Sequence, residues 1–271
     1  MALIITGIVL MLVAVGLYFG SRSQKRKLGE FKATETSTAT ALADMAASVA
    51  KEIGPGSFNQ IAEVKGTIEC GSPLVSELSQ TPCVRYSMSV TREYEETYWE
   101  TDDKGNRSQK TRRGSESVAN NTRSVPFLVR DSTGTIAVDG EGASYVDEKV
   151  FSQFRPGESS GQNLVFGRFS FNPASFAALA GGRRTLGYRF EESAVPVGRD
   201  VYVLGEAVDS EGRLRVRKPE KKGASFIVSL KSEEQMAAGA QSSAKGLAIA
   251  SVVAAVAGIA VLVFGIFKAV V

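Results

Sequence analysis

The sequence predicts a mostly β domain (α+β), a sandwich or OB-like barrel, flanked by two transmembrane helices. Two uncharged apolar runs, residues 2–20 and 246–267 of the 271, predict the helices. The stretch between them predicts the domain, because short alternations of apolar and polar residues recur there, separated by Gly- and Pro-containing turns. That pattern is typical of a sandwich or a small barrel.

The second apolar run has the length of a membrane span. About 20 apolar residues in a helix cross the hydrocarbon core, because every backbone polar group must be paired inside the segment. Lys245 and Lys268 bracket the run, where their ammonium groups reach the headgroups. A buried helix of a soluble core is the alternative, but the run is long and uniformly apolar, which favours a span.

The first apolar run is either a cleaved signal peptide or a retained anchor. A signal peptide has a basic segment before its apolar run. Here no basic residue precedes the run, and Arg22, Lys25, Arg26 and Lys27 follow it, which favours an anchor. Because Lys and Arg beside a span stay on the cytoplasmic side, this basic collar predicts a two-pass membrane protein with a cytoplasmic central domain.

Composition excludes several classes of function. Between the two runs, 31 Lys and Arg face 29 Asp and Glu, so the domain is nearly neutral and no nucleic-acid partner is expected. The chain has no histidine, the commonest general base, and only Cys70 and Cys83 offer thiolates. Two ligands cannot close a structural zinc site, which takes four. We therefore predict no catalytic residue, no metal and no cofactor.

Residues 21–57 follow the first span as the basic collar and a juxtamembrane amphipathic helix. Apolar residues recur there at helical spacing before the stop at 54–56. The helix has two possible places, on the bilayer or over the domain. Its polar face has few basic groups, which favours the domain. The recurring apolar residues are Leu42, Met45, Ala46, Val49 and Ile53.

Residues 58–231 form the predicted β-rich domain, and its first half is a series of strands. The strand over 61–69 has one face for the core and places Glu63 and Lys65 on the opposite face. A long strand over 82–99 leads to a polar loop at 101–114 and a return at 115–123, followed by a hairpin over 125–139. The expected core face of the first strand is Ala62, Val64, Gly66, Ile68 and Cys70.

The second half of the domain is less uniform. Residues 145–154 are ambiguous between strand and extended loop, and Asn172–Pro173 predicts a short helix over 172–180. The clearest alternation runs from 186 to 208, with a turn at 196–198. Strands at 214–218 and 224–230 follow. Residues 232–245 are predicted as a linker to the second span, helical at first and Ala/Gly/Ser-rich later.

Four stretches resemble the GIDE/MULAN family of membrane-anchored ubiquitin-ligase-like proteins. They are GTIECGSPLVSELSQTPCVRY at 66–86, VPFLVRDSTGTIAV at 125–138, LGYRFEESAVPVGRDVYVLGE at 186–206 and FIVSLKSEEQM at 226–236. The resemblance implies a helix, a "beside a membrane" domain, a second helix and then a RING. A RING needs two four-ligand zinc sites, and four residues without Cys or His follow Phe267. The expectation is a short RING-less member, to which the ligase label does not carry over.

Two groups of residues are candidate sites. Cys70 and Cys83 are a candidate thiol pair, either two buried thiols, which we favour, or a disulfide, or a redox or nucleophilic site. The long hairpin carries a candidate partner-binding patch, since aromatic residues and Arg dominate binding hot spots. Cross-strand packing is the alternative for those aromatics, and a salt-bridged surface for the acids around them. The patch is Tyr94, Tyr98, Trp99, Arg112 and Arg113.

The sequence favours an interaction or scaffold module without its own RING. The alternatives are a ubiquitin-ligase-like or other enzyme, and a lipid- or ligand-binding barrel at the membrane surface. The expected partners are the bilayer and a membrane or cytoplasmic protein. The two spans are expected to pack on each other or on another copy through small residues, which permit close approach in lipid. These are Gly16 and Gly20 in the first span, and Ala250, Ala254 and Gly258 in the second.

Overall fold

Two long terminal helices enclose a β domain in the computed structural model, which describes residues 2–33, 35–102, 105–157, 163–172, 183–210 and 212–270. The predicted helix at 172–180 falls almost wholly on residues outside these ranges. The helices are α1 (Ala2–Ala33), α2 (Ala39–Ile53) and α3 (Glu233–Val270). The strands are β1 (Asn59–Glu69), β2 (Leu74–Val75), β3 (Pro82–Thr101), β4 (Arg107–Ser124), β5 (Phe127–Arg130), β6 (Thr135–Val138), β7 (Ser144–Val146), β8 (Glu148–Pro156), β9 (Leu164–Phe166), β10 (Phe169–Phe171), β11 (Arg184–Pro196), β12 (Asp200–Ser210), β13 (Arg213–Arg217) and β14 (Ile227–Ser229).

Five strands close into a barrel, which confirms the predicted fold class. The ring runs β1, β5, β6, β13, β12 and back to β1, and β14 and β7 extend it beside β12. Only the β6–β13 pair within the ring is parallel. Gly66 lets β1 cross β5 closely, since a Cβ there would lie 2.2 Å from the carbonyl oxygen of Arg130. Closure leaves no free edge within the ring.

The helix α2 covers one end of the barrel, as predicted. Leu42 and Ala46 are buried in the barrel core, whereas Ile53 is exposed. Thr38 caps the helix by accepting a hydrogen bond from the backbone N–H of Ala41. Asp131, in the β5–β6 turn, accepts a second one from the N–H of Ala39 at 2.6 Å. The helix is therefore fixed to the barrel at its first turn.

A second sheet is built on β3. It runs β2, β3, β11 and β8, and β4 pairs with β3 on the same side as β2. The small β9–β10 hairpin brings Phe166 and Phe171 onto Tyr188 and Phe190 of this sheet, with the Phe166 and Phe190 ring centroids 4.4 Å apart. These aromatic residues form a core separate from that of the barrel.

The long hairpin extends further than predicted. Residues 101–114 were expected to be a loop, but β3 continues to Thr101 and β4 starts at Arg107, in register at every residue from Thr91 to Thr101. Backbone pairing needs no apolar side chains, and cross-strand ion pairs accommodate the charges, which is why the polar composition was misleading.

Residues 232–245, predicted as a linker that is helical at first, are helical from Glu233 to the end of the segment. Ser232 and Gln235 form a capping box, with the N–H of Gln235 donating to the Ser232 hydroxyl and that of Ser232 to the Gln235 side chain. Met236 and Ala240 then pack on the barrel. That contact stabilises the helix as it enters the Ala/Gly/Ser-rich part of the segment.

The helices α1 and α3 pack against each other in antiparallel orientation. A Cβ on Gly258 would lie 3.1 Å from Met11 Cγ, and one on Gly7 would lie 2.4 Å from Leu262 Cγ. The hydroxyl of Ser21 donates to the carbonyl oxygen of Ala244 at 2.9 Å. Small residues thus recur every seventh position at the contact, a coiled-coil spacing. They are Gly7, Ala14 and Ser21 on α1, and Ala244, Ser251, Gly258 and Gly265 on α3.

The predicted small-residue lines are only partly at this contact. Gly258 lies in it and Gly20 lies near Leu247, but Gly16 has no atom within 4 Å of an added Cβ. Ala250 is exposed and Ala254 is half-buried. The prediction used a four-residue spacing, whereas the contact follows a seven-residue one. Both helices are long and apolar enough to cross a membrane, over Ala2–Arg26 and Glu233–Lys268.

Candidate functional site

The end of the β3–β4 hairpin forms an arm, defined here as residues 97–113 without 103 and 104. Every described residue of the arm is exposed. On β4, six residue steps separate Arg107 from Arg113, so the arm extends roughly 20 Å at strand spacing. Two paired strands with both faces in solvent gain little stability from burial. The arm is thus a surface element.

One face of the β3–β4 hairpin, which runs from its base into the arm, joins aromatic rings to ion pairs. Tyr94, Glu96 and Tyr98 share it, together with Arg112, which is paired with Glu96 across the strands. Arg183 lies over the Tyr94 ring at 4.7 Å and donates to Glu96 at 2.7 Å. The guanidinium of Arg112 lies 5.5 Å from the Tyr98 centroid. Hydrogen bonds from Arg112 and then Arg183 hold the pKa of Glu96 below its usual value.

The other face carries the only tryptophan of the chain. Trp99 is 61% exposed and lies 5.9 Å from the guanidinium of Arg107. Arg113 is paired with Glu95 on the same face, at 3.5 Å. The five predicted patch residues are therefore divided. Tyr94, Tyr98 and Arg112 lie on one face, and Trp99 and Arg113 on the other.

A buried carboxylate joins the barrel to the two terminal helices. Glu63 is fully buried, although the alternation predicted it on the solvent face. It accepts hydrogen bonds from Tyr202 at 2.9 Å and from Thr36, just after α1, at 2.5 Å. Lys65 lies 2.9 Å from Glu63 and 2.9 Å from Glu233, in the first turn of α3. We name this set of residues the Glu63 network.

The Glu63 network shifts the pKa of two of its members. Desolvation would lower the pKa of Lys65, but hydrogen bonds to Glu233 and Glu63 outweigh it, and the pKa is raised. Burial, followed by the charge of Glu63, raises the pKa of Tyr202. Both groups therefore keep their protons at physiological pH, and the network stays hydrogen-bonded.

A groove of about 870 Å³ lies beside this network, between β1, the β5–β6 turn, the start of β12 and the first turn of α3. Its lining mixes both signs of charge, so its electrostatics favour neither anions nor cations. Within the described residues, no group of three or more His, Cys, Asp or Glu is placed to hold a metal ion. The charged residues that line the groove are Lys65, Arg130, Asp131, Asp200, Lys231 and Glu234.

Residues 95–264, well over half of the chain, match the GIDE family, which is described as E3 ubiquitin ligase. The chain belongs to the GIDE family. It is also similar to the E3 ubiquitin-protein ligase SPL1 of Arabidopsis thaliana, with 34% identity over 105 residues. That similarity covers 36% of this chain and 27% of the relative's length. No solved structure matches the chain.

The two cysteines of this GIDE chain lie in different packing clusters. Cys83 is fully buried with Tyr86 and Ala194, and burial, followed by the charge of Glu192, raises its pKa to about 11. Cys70 is half-buried beside the barrel core, with its Sγ 3.8 Å from the carbonyl oxygen of Pro126. Both thiols are free in this structure. Cys83 has the environment of a structural thiol, and the disulfide alternative stays a prediction.

Sequence reasoning missed two buried charges in the second sheet. Arg92 is buried and donates to Thr185, Glu116 and the carbonyl oxygen of Arg183. Glu192 is also buried, and accepts hydrogen bonds from the loop at Leu78 and Ser79. Both continue a buried alternation, Arg92 after Val90 and Glu192 after Phe190, so the signal was present. Glu191 pairs with Lys149, and Arg199 with Glu148.

Proposed function

We propose that this chain is a membrane-anchored interaction module, a GIDE-type scaffold that holds a protein partner at the membrane. The arm is the partner-binding element in this proposal. The two apolar helices are its anchor. The barrel holds the arm relative to them, because Val84 of β3 packs in the barrel core and the far end of β3 is one side of the arm.

The observation that carries the proposal is the exposed arm with aromatic residues on both faces. An exposed tryptophan beside an arginine is a recurrent hot spot of protein interfaces. On the opposite face, Tyr98 is 37% exposed under Arg112. Arg183 covers the base of the hairpin at Tyr94, but every described residue of the arm itself is exposed, so a partner has access to both faces of the arm.

A ubiquitin-ligase activity is the second candidate, because the family is described as E3 ubiquitin ligase. A RING requires two four-ligand zinc sites, and these 271 residues contain two cysteines and no histidine. We propose that any ubiquitin transfer that involves these 271 residues uses a RING outside them. Reconstituted transfer by the purified chain alone, abolished by Cys70→Ala or Cys83→Ala, would instead establish a ligase.

The basic collar gives the proposed orientation. We place the barrel and the arm in the cytoplasm, because Arg22, Lys25 and Arg26 follow the first apolar run. A membrane-impermeant thiol reagent tests this on a Gly105→Cys variant that also carries Cys70→Ser and Cys83→Ser. Labelling only after permeabilisation is expected. Equally rapid labelling in intact cells would place the domain on the outside.

The interaction proposal is tested by capturing the full-length chain, after crosslinking, from native membranes. We expect a stoichiometric partner for the wild type, and at least a tenfold loss for Trp99→Ala combined with Tyr98→Ala, which corresponds to about 1.4 kcal/mol. Val165→Ala is the matched control, since Val165 is 65% exposed on another hairpin. Retention of every partner by the double variant would show that the arm is not the binding element.

A further inference from the structure

A second exposed surface brings together cations from three parts of the chain. The guanidinium of Arg26, on α1, donates a hydrogen bond to the carbonyl oxygen of Gly223, in the connection between β13 and β14. A Cβ on Gly223 would lie 3.1 Å from Nη2 of Arg26. The lysine pair before that glycine therefore lies beside the basic collar. We name the set the basal surface: Arg22, Lys25, Arg26, Lys221, Lys222 and Lys245.

The helix lengths place the basal surface at the depth of lipid headgroups. Ala240 packs on the barrel, and the apolar run of α3 starts seven residues later, at Leu247. At 1.5 Å per residue this is about 10 Å. Arg26 lies six residues beyond Gly20, or about 9 Å. A headgroup layer is roughly 5–8 Å thick on each side of the bilayer, so the cations lie in it or at its outer boundary.

Five of the six cations of the basal surface, all but Arg26, have no counter-ion among the described residues. Among the described residues, Arg22, Lys25 and Lys245 form no ion pair, and neither do Lys221 and Lys222. The neighbouring acid, Glu220, is bonded to Arg217 instead. By contrast, Arg112, Arg113 and Lys110 on the arm are each paired with an acid. The positive charge at the base is thus available for an external anion.

We propose that the basal surface binds the headgroups of anionic phospholipids, with the β13–β14 connection and the collar forming one site. The inference rests on the proposed membrane anchoring. Lys and Arg near a bilayer are attracted to anionic headgroups, each contributing roughly a fivefold preference at low ionic strength. Binding from two elements would hold the barrel against the bilayer, and so fix the direction of the arm.

Lipid selectivity of the full-length chain tests the proposal. The protein is reconstituted in phosphatidylcholine bilayers with trace spin-labelled phosphatidylglycerol or phosphatidylcholine, and the immobilised fraction of each is measured. We expect a severalfold preference for phosphatidylglycerol at low salt. It should fall at least twofold in Lys221→Glu combined with Lys222→Glu, and decrease at high salt because the headgroup contacts are screened.

The matched control places two charge reversals at the opposite end of β13. Lys51→Glu with Arg213→Glu changes the net charge equally, and the end of α2 lies there, since the N–H of Gly56 donates to Asp209. This control should keep the wild-type preference. No preference in the wild type, or an undiminished one in the Lys221→Glu and Lys222→Glu variant, would overturn the proposed site. Failure of the wild type to insert would instead overturn the anchoring on which it rests.

Discussion

The carboxylate of Glu63 accepts hydrogen bonds from two other parts of the chain. Removing this carboxylate should therefore lower the free energy of unfolding. In Glu63→Ala, the hydroxyl of Tyr202 and the ammonium of Lys65 lose an anionic acceptor, so we expect the free energy of unfolding to fall by about 3 kcal/mol. Tyr202→Phe removes one of these bonds and should cost about 1.5 kcal/mol. Denaturant unfolding in detergent, followed by circular dichroism, measures both.

The exposed Glu141 gives the control for this prediction. Glu141→Ala should change stability by less than about 0.5 kcal/mol. An equally small effect of Glu63→Ala would show that the Glu63 network does not stabilise the domain.

The thiol of Cys83 should be protected, and that of Cys70 reactive. Because burial raises the pKa of Cys83 to about 11 from an ordinary 9.0, the reactive thiolate is scarce at neutral pH. Alkylation at pH 7.5 should modify Cys70 first, and Cys83 only after unfolding, as read by mass spectrometry. A Cys70–Cys83 disulfide in protein purified without reductant would contradict this.

The same shift predicts how stability depends on pH. Between pH 9 and about 11, the folded chain keeps the Cys83 proton and the unfolded chain has released it. The stability that the protonated Cys83 thiol contributes is therefore complete below pH 9, and the free energy of unfolding should fall as the pH rises from 9 towards 11. The slope between these values should be shallower in Cys83→Ala, and the remainder should begin near pH 10, because the pKa values of Tyr86, Tyr145 and Tyr202 are also raised from 10.0.

Individual buried charges were only partly predictable. Arg92 and Glu192 continue alternations whose other members are apolar, so their burial follows from the strand period. Glu63 does not, because Ala62, Glu63 and Val64 are all buried. Its burial depends on Thr36, Tyr202 and Glu233, which are remote in sequence and packed around it only by the fold.

At the scale of elements, the close contact of α1 and α3 depends on glycine. A side chain on Gly258 would meet Met11, Leu10 and the carbonyl oxygen of Gly7 within 3.3 Å. Gly258→Leu should therefore separate the helices, at a cost of about 1–3 kcal/mol from overpacking. Oxidative crosslinking between Ser21→Cys and Ala244→Cys, with Cys70 and Cys83 replaced by Ser, measures their proximity.

Gly16→Leu is the matched control for the helix contact, since an added Cβ there meets nothing within 4 Å. Crosslinking should be unchanged in this variant and markedly slower in Gly258→Leu. Equal rates in the two variants would show that the packing does not depend on Gly258.

The alternation of side chains in the sequence predicted where strands occur. It did not predict how long they are. The alternation from 186 to 208 became β11 and β12 with the turn between them. The outer half of the β3–β4 hairpin has no apolar face, so its only sequence signal was polarity, which indicates a loop. Its pairing is specified by the strands that begin the hairpin, and thus by register rather than composition.

At the scale of the whole molecule, the barrel connects three elements with separate roles. The Glu63 network joins the paired terminal helices to the barrel. The helix α2 covers one end of the barrel, and β3 continues from the second sheet into the arm. The sequence predicted this order of elements. It also predicted that residues 232–245 begin as a helix, and the Ser232–Gln235 capping box is the local signal for that start. It did not predict that Met236 and Ala240 pack on the barrel, because that contact depends on residues remote in sequence.

Site-specific photo-crosslinking from the arm in native membranes tests whether the arm contacts a protein partner. A photoreactive residue replaces Trp99 in one variant and Lys110, on the opposite face, in another; a third carries it at Val165, off the arm. We predict a discrete crosslinked protein from at least one arm position, absent from position 165. Equal, non-specific crosslinking from all three positions would contradict the account that the arm of this GIDE protein binds a partner.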